Sequence, residues 1–248
     1  EAENVIDSIT NKRNSFSNLN MSQPHIMGII NSTPDSFYKK SRSTNSSFAI
    51  KKSNQMISDG ASIIDIGGES SRPGAKKISI EEEMQRVIPS IIDFKKNNLV
   101  TQISLDTRNL PTMKLGLQSG VNIINDISGF ADHNKIKFVS KSNLPVIVMH
   151  MQNEPNNMQI EPKYSFAPID IYKILSKRVN LLIQMGVNKS NIVVDPGIGF
   201  GKNIYHNLEI LRNVSLFHSL GVPILIGLSR KTFIHEVSNI KWVVTDSV

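Results

Sequence analysis

Asp195 closes a short apolar run, Ile192, Val193 and Val194, and is followed by Pro196, Gly197, Gly199, Gly201 and Lys202. Proline fixes its own φ, and glycine reaches φ values that a Cβ forbids. Three glycines in five residues therefore make a loop whose backbone can approach a ligand closely. A carboxylate at a strand's end beside such a loop is a binding group or part of a costly turn. Similar polar groups end other apolar runs: Asn31, Asp65, Asp106, Asn125 and Lys231. Three carboxylates with an Asn suit Mg²⁺, which takes oxygen ligands and usually keeps waters. They equally suit a nitrogenous ring whose edge donates hydrogen bonds, since Asp accepts and Asn both accepts and donates in one plane. Residue chemistry alone leaves both open. The bland alternative is that Asp106 and Asp126 only cap the helices that follow.

Two further segments carry chemistry. GGESSRPG places Ser70, Ser71 and Arg72 between glycines and before Pro73; the Arg offers a planar fork for phosphate or carboxylate. GLSRKTF sets Gly227, Ser229, Arg230 and Lys231 at a helix start. His150 lacks an HxH or HExxH partner and reads as a structural histidine, and Met149 and Met151 read as core. P-loop, GxGxxG, GxSxG and zinc spacings are absent, which removes support from kinase, dinucleotide and hydrolase-triad readings. With no cysteine there is neither disulfide nor thiolate chemistry. No apolar run approaches the roughly 20 residues that span a bilayer. The sequence thus reads as soluble, and as cytoplasmic with no membrane partner.

Seven short apolar runs can position these groups: 25–31, 61–70, 102–108, 121–129, 145–151, 192–195 and 223–231. They are rich in β-branched residues and do not alternate with polar ones, as expected of strands buried on both faces. Candidate helices lie between them at 48–59, 81–96, 111–118, 135–141, 168–185 and 207–220. Gly60, Gly120, Gly186 and Gly221 follow helix ends, and Ser79 with Glu82 resembles a capping box. Alternating β and α units predict a parallel α/β fold, here a (β/α)8 TIM barrel whose last strand is not evident. Barrel enzymes draw their catalytic groups from the C-terminal ends of several strands, where these polar residues fall. The Asn- and Ser-rich residues 1–20 read as a linker-like segment, and 21–248 as the barrel domain. Lys and Arg number 28 against 21 Asp and Glu, giving +7, which favours anionic partners without naming one.

Together, MGIINSTPDSF, DGASIIDIGGESSRPGA, EEEMQRVIP, ISLDT, INDISG, VIVMHMQ, VVDPGIGFGK and ILIGLSRK resemble the dihydropteroate synthases of the pterin-binding family. The matching segments run from Met27 to Lys231 in the family's order. The resemblance implies a usually dimeric, Mg²⁺-using TIM barrel, a transferase and sulfonamide target of folate synthesis. It joins 6-hydroxymethyl-dihydropterin pyrophosphate to p-aminobenzoate. The pterin would be held by Asp106, Asn125, Asp195 and Lys231, with Ile127, Met149 and Gly227 around the ring. Ser71, Arg72, Pro73, Phe37, Phe200 and Ser229 would form the aminobenzoate and pyrophosphate region. Asn31 would contribute to the metal, and Asp35, Arg72 and Lys231 to catalysis.

The sequence also departs from the family. Lys39 stands where an acidic residue is usual, Ser71 replaces the usual Thr, and no Arg-x-His follows Lys231. An incomplete C-terminus is the expectation, and the linker-like start matches the family's fusions to hydroxymethyl-dihydropterin pyrophosphokinase. Competing readings are a pterin-binding pseudoenzyme, a methyltetrahydrofolate:corrinoid methyltransferase and, last, a basic nucleic-acid binder. GGESSRPG with the SRK segment argues against the methyltransferase. No aromatic-basic motif supports nucleic acid as a partner.

Overall fold

Six of the seven apolar runs form strands: β1 (Ile26–Asn31), β2 (Ala61–Gly67), β3 (Gln102–Asp106), β4 (Ile123–Asp126), β5 (Val146–Met149) and β6 (Ile192–Asp195). The computed structural model describes residues 6–238 except 8, 14, 33–41, 73 and 98–100. All neighbouring strands are parallel, and their order in the sheet is their order in the chain. Each parallel step needs a crossover, supplied by α1 (Arg42–Ser58), α2 (Ile80–Lys96), α3 (Leu110–Ser119), α4 (His133–Lys141) and α5 (Ala167–Gln184). A doubly wound sheet would reverse its strand order at a switch point; unbroken sequential order is the winding of a (β/α)8 barrel. After β6 come α6 (Ile204–Arg212) and α7 (Thr232–Ser238).

The seventh run corrects the pattern-based expectation. Only Ile224 bridges to Val194; Val194 N donates to Pro223 O at 3.0 Å and Leu225 N to Val194 O at 2.8 Å. The parallel register is entered and then abandoned, because among the described residues no strand lies on its far side to take further bonds. The same one-sidedness leaves β1 less buried than expected, with Ile26 and Ile29 exposed. The predicted helix at 207–220 divides. Asn213 leaves helical geometry and its amide donates to Glu209 O at 2.8 Å, after which Val214–Leu220 continues as a 3₁₀ segment.

Two apolar layers follow from strand pleating. Ile64, Ile66, Leu105, Ile124, Val146, Val148, Ile192 and Val194 face the helices, while Ile63, Ile123, Ile147 and Val193 face the interior of the sheet. Phe16 joins the interior group and is almost wholly buried, within a turn in which Phe16 and Leu19 pair. The interior residues lie in the N-terminal halves of their strands, so Phe16 fills the end opposite Asp106 and Asp195. One aromatic among Asn and Ser gave no warning of this in the sequence.

Ser79 caps α2, its hydroxyl accepting from Glu82 N at 3.1 Å. One turn on, the buried Glu83 carboxylate accepts from Thr107 Oγ1 at 2.7 Å, from Asn109 Nδ2 at 3.0 Å and from Thr112 Oγ1. It thereby docks α2 on the turn that carries Asp106 into α3. Buried donors left without an acceptor cost about 1–3 kcal/mol each. Glu83→Ala is therefore expected to lower stability by roughly 3–5 kcal/mol, measured by urea unfolding. A loss under about 1 kcal/mol would show that the three donors find other partners.

Candidate functional site

The loop after β6 is fastened on every side. Asp195 Oδ1 accepts from Gly197 N at 2.7 Å, and Phe200 N donates to Gly197 O at 3.0 Å. Asn207 Oδ1 accepts from Gly199 N at 2.8 Å, Gln159 Nε2 donates to Gly199 O at 2.7 Å, and Tyr164 OH donates to Gly201 O at 2.8 Å. Gly197, Gly199 and Gly201 all take positive φ, as the composition of the loop demands. Gly197 also meets His150: a Cβ there would lie 1.9 Å from the His150 carbonyl oxygen. The loop delivers Phe200 beneath Lys231, whose Nζ stands 4.2 Å from the ring centroid, a cation–π contact.

Charges around Asp195 are balanced by opposing effects. Burial raises its pKa, and the Gly197 N–H, Lys231 and Lys202 each pull it back. Burial lowers Lys231, with Asp195 opposing. Burial, then the charge of Lys202, pushes His150 down to about 3, so its ring is neutral and its Nδ1 can accept from Lys202 Nζ at 3.1 Å. The structural reading of His150 holds.

Across the sheet, register aligns a second group. Asn31 stands opposite Gly67, Gly67 opposite Asp106, and Asp106 opposite Asn125. Because Gly67 has no side chain, Asp106 Oδ2 and Asn31 Oδ1 close over it, 3.5 Å and 3.8 Å from where its Cβ would be. Asn125 Nδ2 donates to Asp65 Oδ2 at 3.1 Å. Burial raises Asp65, with Ser104 and Asn125 opposing. Asp106 is driven well above the usual carboxylate range by burial and then by Asp65, Asp126, Glu83 and Glu69. Buried carboxylates raised together at one end of a sheet favour a partner that donates protons or carries positive charge.

Asp126 separates from this set. Its carboxylate is fully buried, pairs with Lys135 at 2.6 Å and accepts from Ser128 N at 2.8 Å and Phe130 N at 3.1 Å. For Asp126 a structural role is correct, though not as a helix cap: α4 is capped by Asp132, whose side chain accepts from Asn134 N. For Asp106 a structural role is not correct: among the described residues its carboxylate accepts no hydrogen bond.

Of the remaining sequence candidates, Ile127 and Met149 are buried, Met149 directly opposite Asp195, while Gly227 has open space where a side chain would be. Ser71 is half-buried, and Arg72 and Ser229 are exposed. The loop bearing Arg72 is held near the end of β5 by Gly74 N to Pro155 O at 3.2 Å. Arg108 also spans that gap, paired with Glu69 through Nε at 2.9 Å and with Glu154 at 3.4 Å. Asp35, Phe37, Lys39 and Pro73 lie outside the described residues. Lys202, Gln159 and Asn207 are contributors that motif reading passed over. Lys202 was visible only as the last letter of DPGIGFGK, and the other two become neighbours only through the fold. Among the described residues no three His, Asp or Glu side chains could hold a metal by themselves. The exposed Asn31 suits a hard cation that takes most of its oxygens from substrate and water. No helix of the described residues is long and apolar enough to cross a membrane.

Residues 27–246 match the pterin binding enzyme family. The dihydropteroate synthase of Escherichia coli (strain K12) is 39% identical over 222 residues, covering 90% of this chain and 78% of that protein. The chain belongs to the pterin binding enzyme family. Among solved structures, the dihydropteroate synthase of Xanthomonas albilineans with 4-aminobenzoic acid superposes with a TM-score of 0.84 at 33% identity, over 94% of this chain and 84% of that one. The same enzyme in complex with 7,8-dihydropteroate gives 0.78 at 31% identity, over 89% of this chain and 78% of that one.

Proposed function

We infer that this chain joins 6-hydroxymethyl-7,8-dihydropterin pyrophosphate to p-aminobenzoate, releasing pyrophosphate and forming 7,8-dihydropteroate, the dihydropteroate synthase reaction of folate biosynthesis. The observation that carries this is the pairing of two half-buried carboxylates with raised pKa, Asp106 and Asp195, with the Lys231–Phe200 contact at the same end of the sheet. Asp106, Asn125 and Asp195 bind the edge of the pterin, with the buried Ile127 and Met149 and the side-chain-free Gly227 around its ring. As the carbon–oxygen bond to pyrophosphate breaks, positive charge grows on the pterin methylene. The carboxylates stabilise that charge, while Arg72 and Ser71 take the departing anion. The arylamine nitrogen then bonds to the methylene and passes its proton to the released pyrophosphate, while Phe200, with Phe37 and Pro73, would keep competing water out. Lys231 bridges the two halves, and Ser229 and Asp35 complete the set. Mg²⁺ would be held by Asn31 and pyrophosphate oxygens, and would neutralise charge on the leaving group. The reading includes a cytoplasmic homodimer.

The test is a pyrophosphate-release assay on the purified chain. Release that requires p-aminobenzoate, with dihydropteroate identified by mass, is the expected result, and a chelator should slow it until Mg²⁺ is restored. Tight binding of the pterin substrate with no release under any condition would overturn the catalytic reading in favour of a pterin-binding protein without turnover.

A further inference from the structure

Lys202 is a buried cation without a buried anion in contact. Its side chain is 3% exposed, yet among the described residues no carboxylate lies within salt-bridge distance of it. Its Nζ instead donates to Phe200 O at 2.8 Å, His150 Nδ1 at 3.1 Å and, more weakly, His150 O at 3.4 Å. These three acceptors use all three protons of an ammonium. Nζ also lies over the Tyr164 ring, 5.9 Å from its centroid. Nζ also sits 3.4 Å from where a Cβ on Gly197 would be, against the turn that holds Asp195. A neutral amide would satisfy the two carbonyls without the desolvation cost of a charge. The charge therefore calls for a separate reason.

We propose that Lys202 is a positioning residue of the pterin site: it ties the Phe200 carbonyl to the end of β5 and sets a positive charge behind Asp195. One side chain then fixes both the carboxylate that reads the pterin and the aromatic ring beneath Lys231. The groups facing it are Asp195, Lys231, His150, Tyr164 and, from α6, His206. Burial, and then Lys231, lowers Lys202 to about 7, with Asp195 opposing, while Lys202 in turn holds Asp195 down. The two charges support one another, so pterin affinity fades both when Asp195 is protonated and when Lys202 loses its proton. This inference rests on the pterin reading of Asp195.

The experiment is a fluorescence titration of a 6-hydroxymethylpterin probe against pH, on wild type, Lys202→Gln and Lys202→Arg, with KM and kcat measured alongside. Lys202→Gln should weaken the probe about tenfold at neutral pH and move the acid limb of binding upward by about one unit. KM for p-aminobenzoate should rise as well, because Phe200 loses the bond from its carbonyl to Lys202. Lys202→Arg, which stays charged, should restore the acid limb and move the basic limb upward by more than about one unit. A Lys202→Gln protein with wild-type affinity and acid limb would overturn the proposal. If that variant does not fold, an unchanged basic limb in Lys202→Arg overturns it instead. Failure of the wild type to bind the probe would reject the pterin reading itself, a separate outcome.

Discussion

Asp195→Asn is expected to weaken pterin binding by about two to four orders of magnitude while leaving the fold at least as stable. One carboxylate oxygen, Oδ1, is committed to Gly197 N at 2.7 Å, so only the other faces the ligand. An amide replacing the carboxylate must keep its oxygen on that N–H to avoid a donor–donor clash. Its NH₂ then points at the donor edge of the pterin. The change therefore replaces a charge-assisted bond with a repulsive contact. Hydrogen bonds to charged groups contribute about 1.5–3 kcal/mol, and a facing donor pair adds the cost of an unsatisfied buried group, about 1–3 kcal/mol. The sum, about 2.5–6 kcal/mol, corresponds to roughly a hundredfold to ten-thousandfold in affinity.

Stability should move the other way. Burial raises the carboxyl of Asp195 in the folded state, so the folded chain holds its proton more tightly than the unfolded chain does. Stability from such a group is present at low pH and is lost as pH rises from the ordinary Asp range through the raised value. A neutral side chain removes that loss, and the wild type's fall in stability over that window should shrink in Asp195→Asn. Titration calorimetry with a pterin, beside thermal unfolding at two pH values, reads both effects. Affinity within threefold of wild type would remove Asp195 from the site.

Which carboxylates serve the site could be read from the sequence only in part. Asp106 and Asp126 look alike there, each ending an apolar run before a helix. What separates them is Lys135, nine residues beyond Asp126, whose ammonium reaches back to it once α4 has formed. Among the described residues no counterpart reaches Asp106, and the register instead sets it between Gly67 and Asn125. The strands themselves were legible because parallel pairing buries both faces and leaves only apolar side chains between turns. The exceptions, β1 and the seventh run, are the places where the described residues hold no further partner strand, and a hydrophobic pattern carries no information about partners. Lys202 escaped notice for a related reason. Lysine is normally a surface residue, and nothing local reveals that the loop folds it under His150. Phe16 shows the same limit, its burial depending on a sheet that begins ten residues later.

Gly197→Ala should be the most damaging single methyl addition in the described structure. The new Cβ would lie 1.9 Å from His150 O and 3.0 Å from its carbonyl carbon, both backbone atoms of the residue following β5. A flexible side chain could swing aside; a carbonyl next to a parallel strand cannot move without disturbing the ladder, since His150 N is itself bonded to Asp195 O at 2.9 Å. Positive φ at Gly197 adds a further penalty of about 1–2 kcal/mol for any residue with a Cβ. Relief requires the 195–202 loop to lift away, which breaks the Asp195–Gly197 bond and draws Phe200 from beneath Lys231. The expected loss is above about 4 kcal/mol in urea unfolding, in the range reserved for steric or buried-polar failure. Gly60→Ala is the control. Gly60 also has positive φ, but nothing lies within 4 Å of its would-be Cβ, so only the backbone penalty of about 1–2 kcal/mol applies. If the two variants proved equally stable, close contact between the loop and β5 could not be what fixes Asp195. If Gly197→Ala folds at low temperature, it should bind pterin at least as poorly as Asp195→Asn, because the carboxylate is then present but wrongly placed.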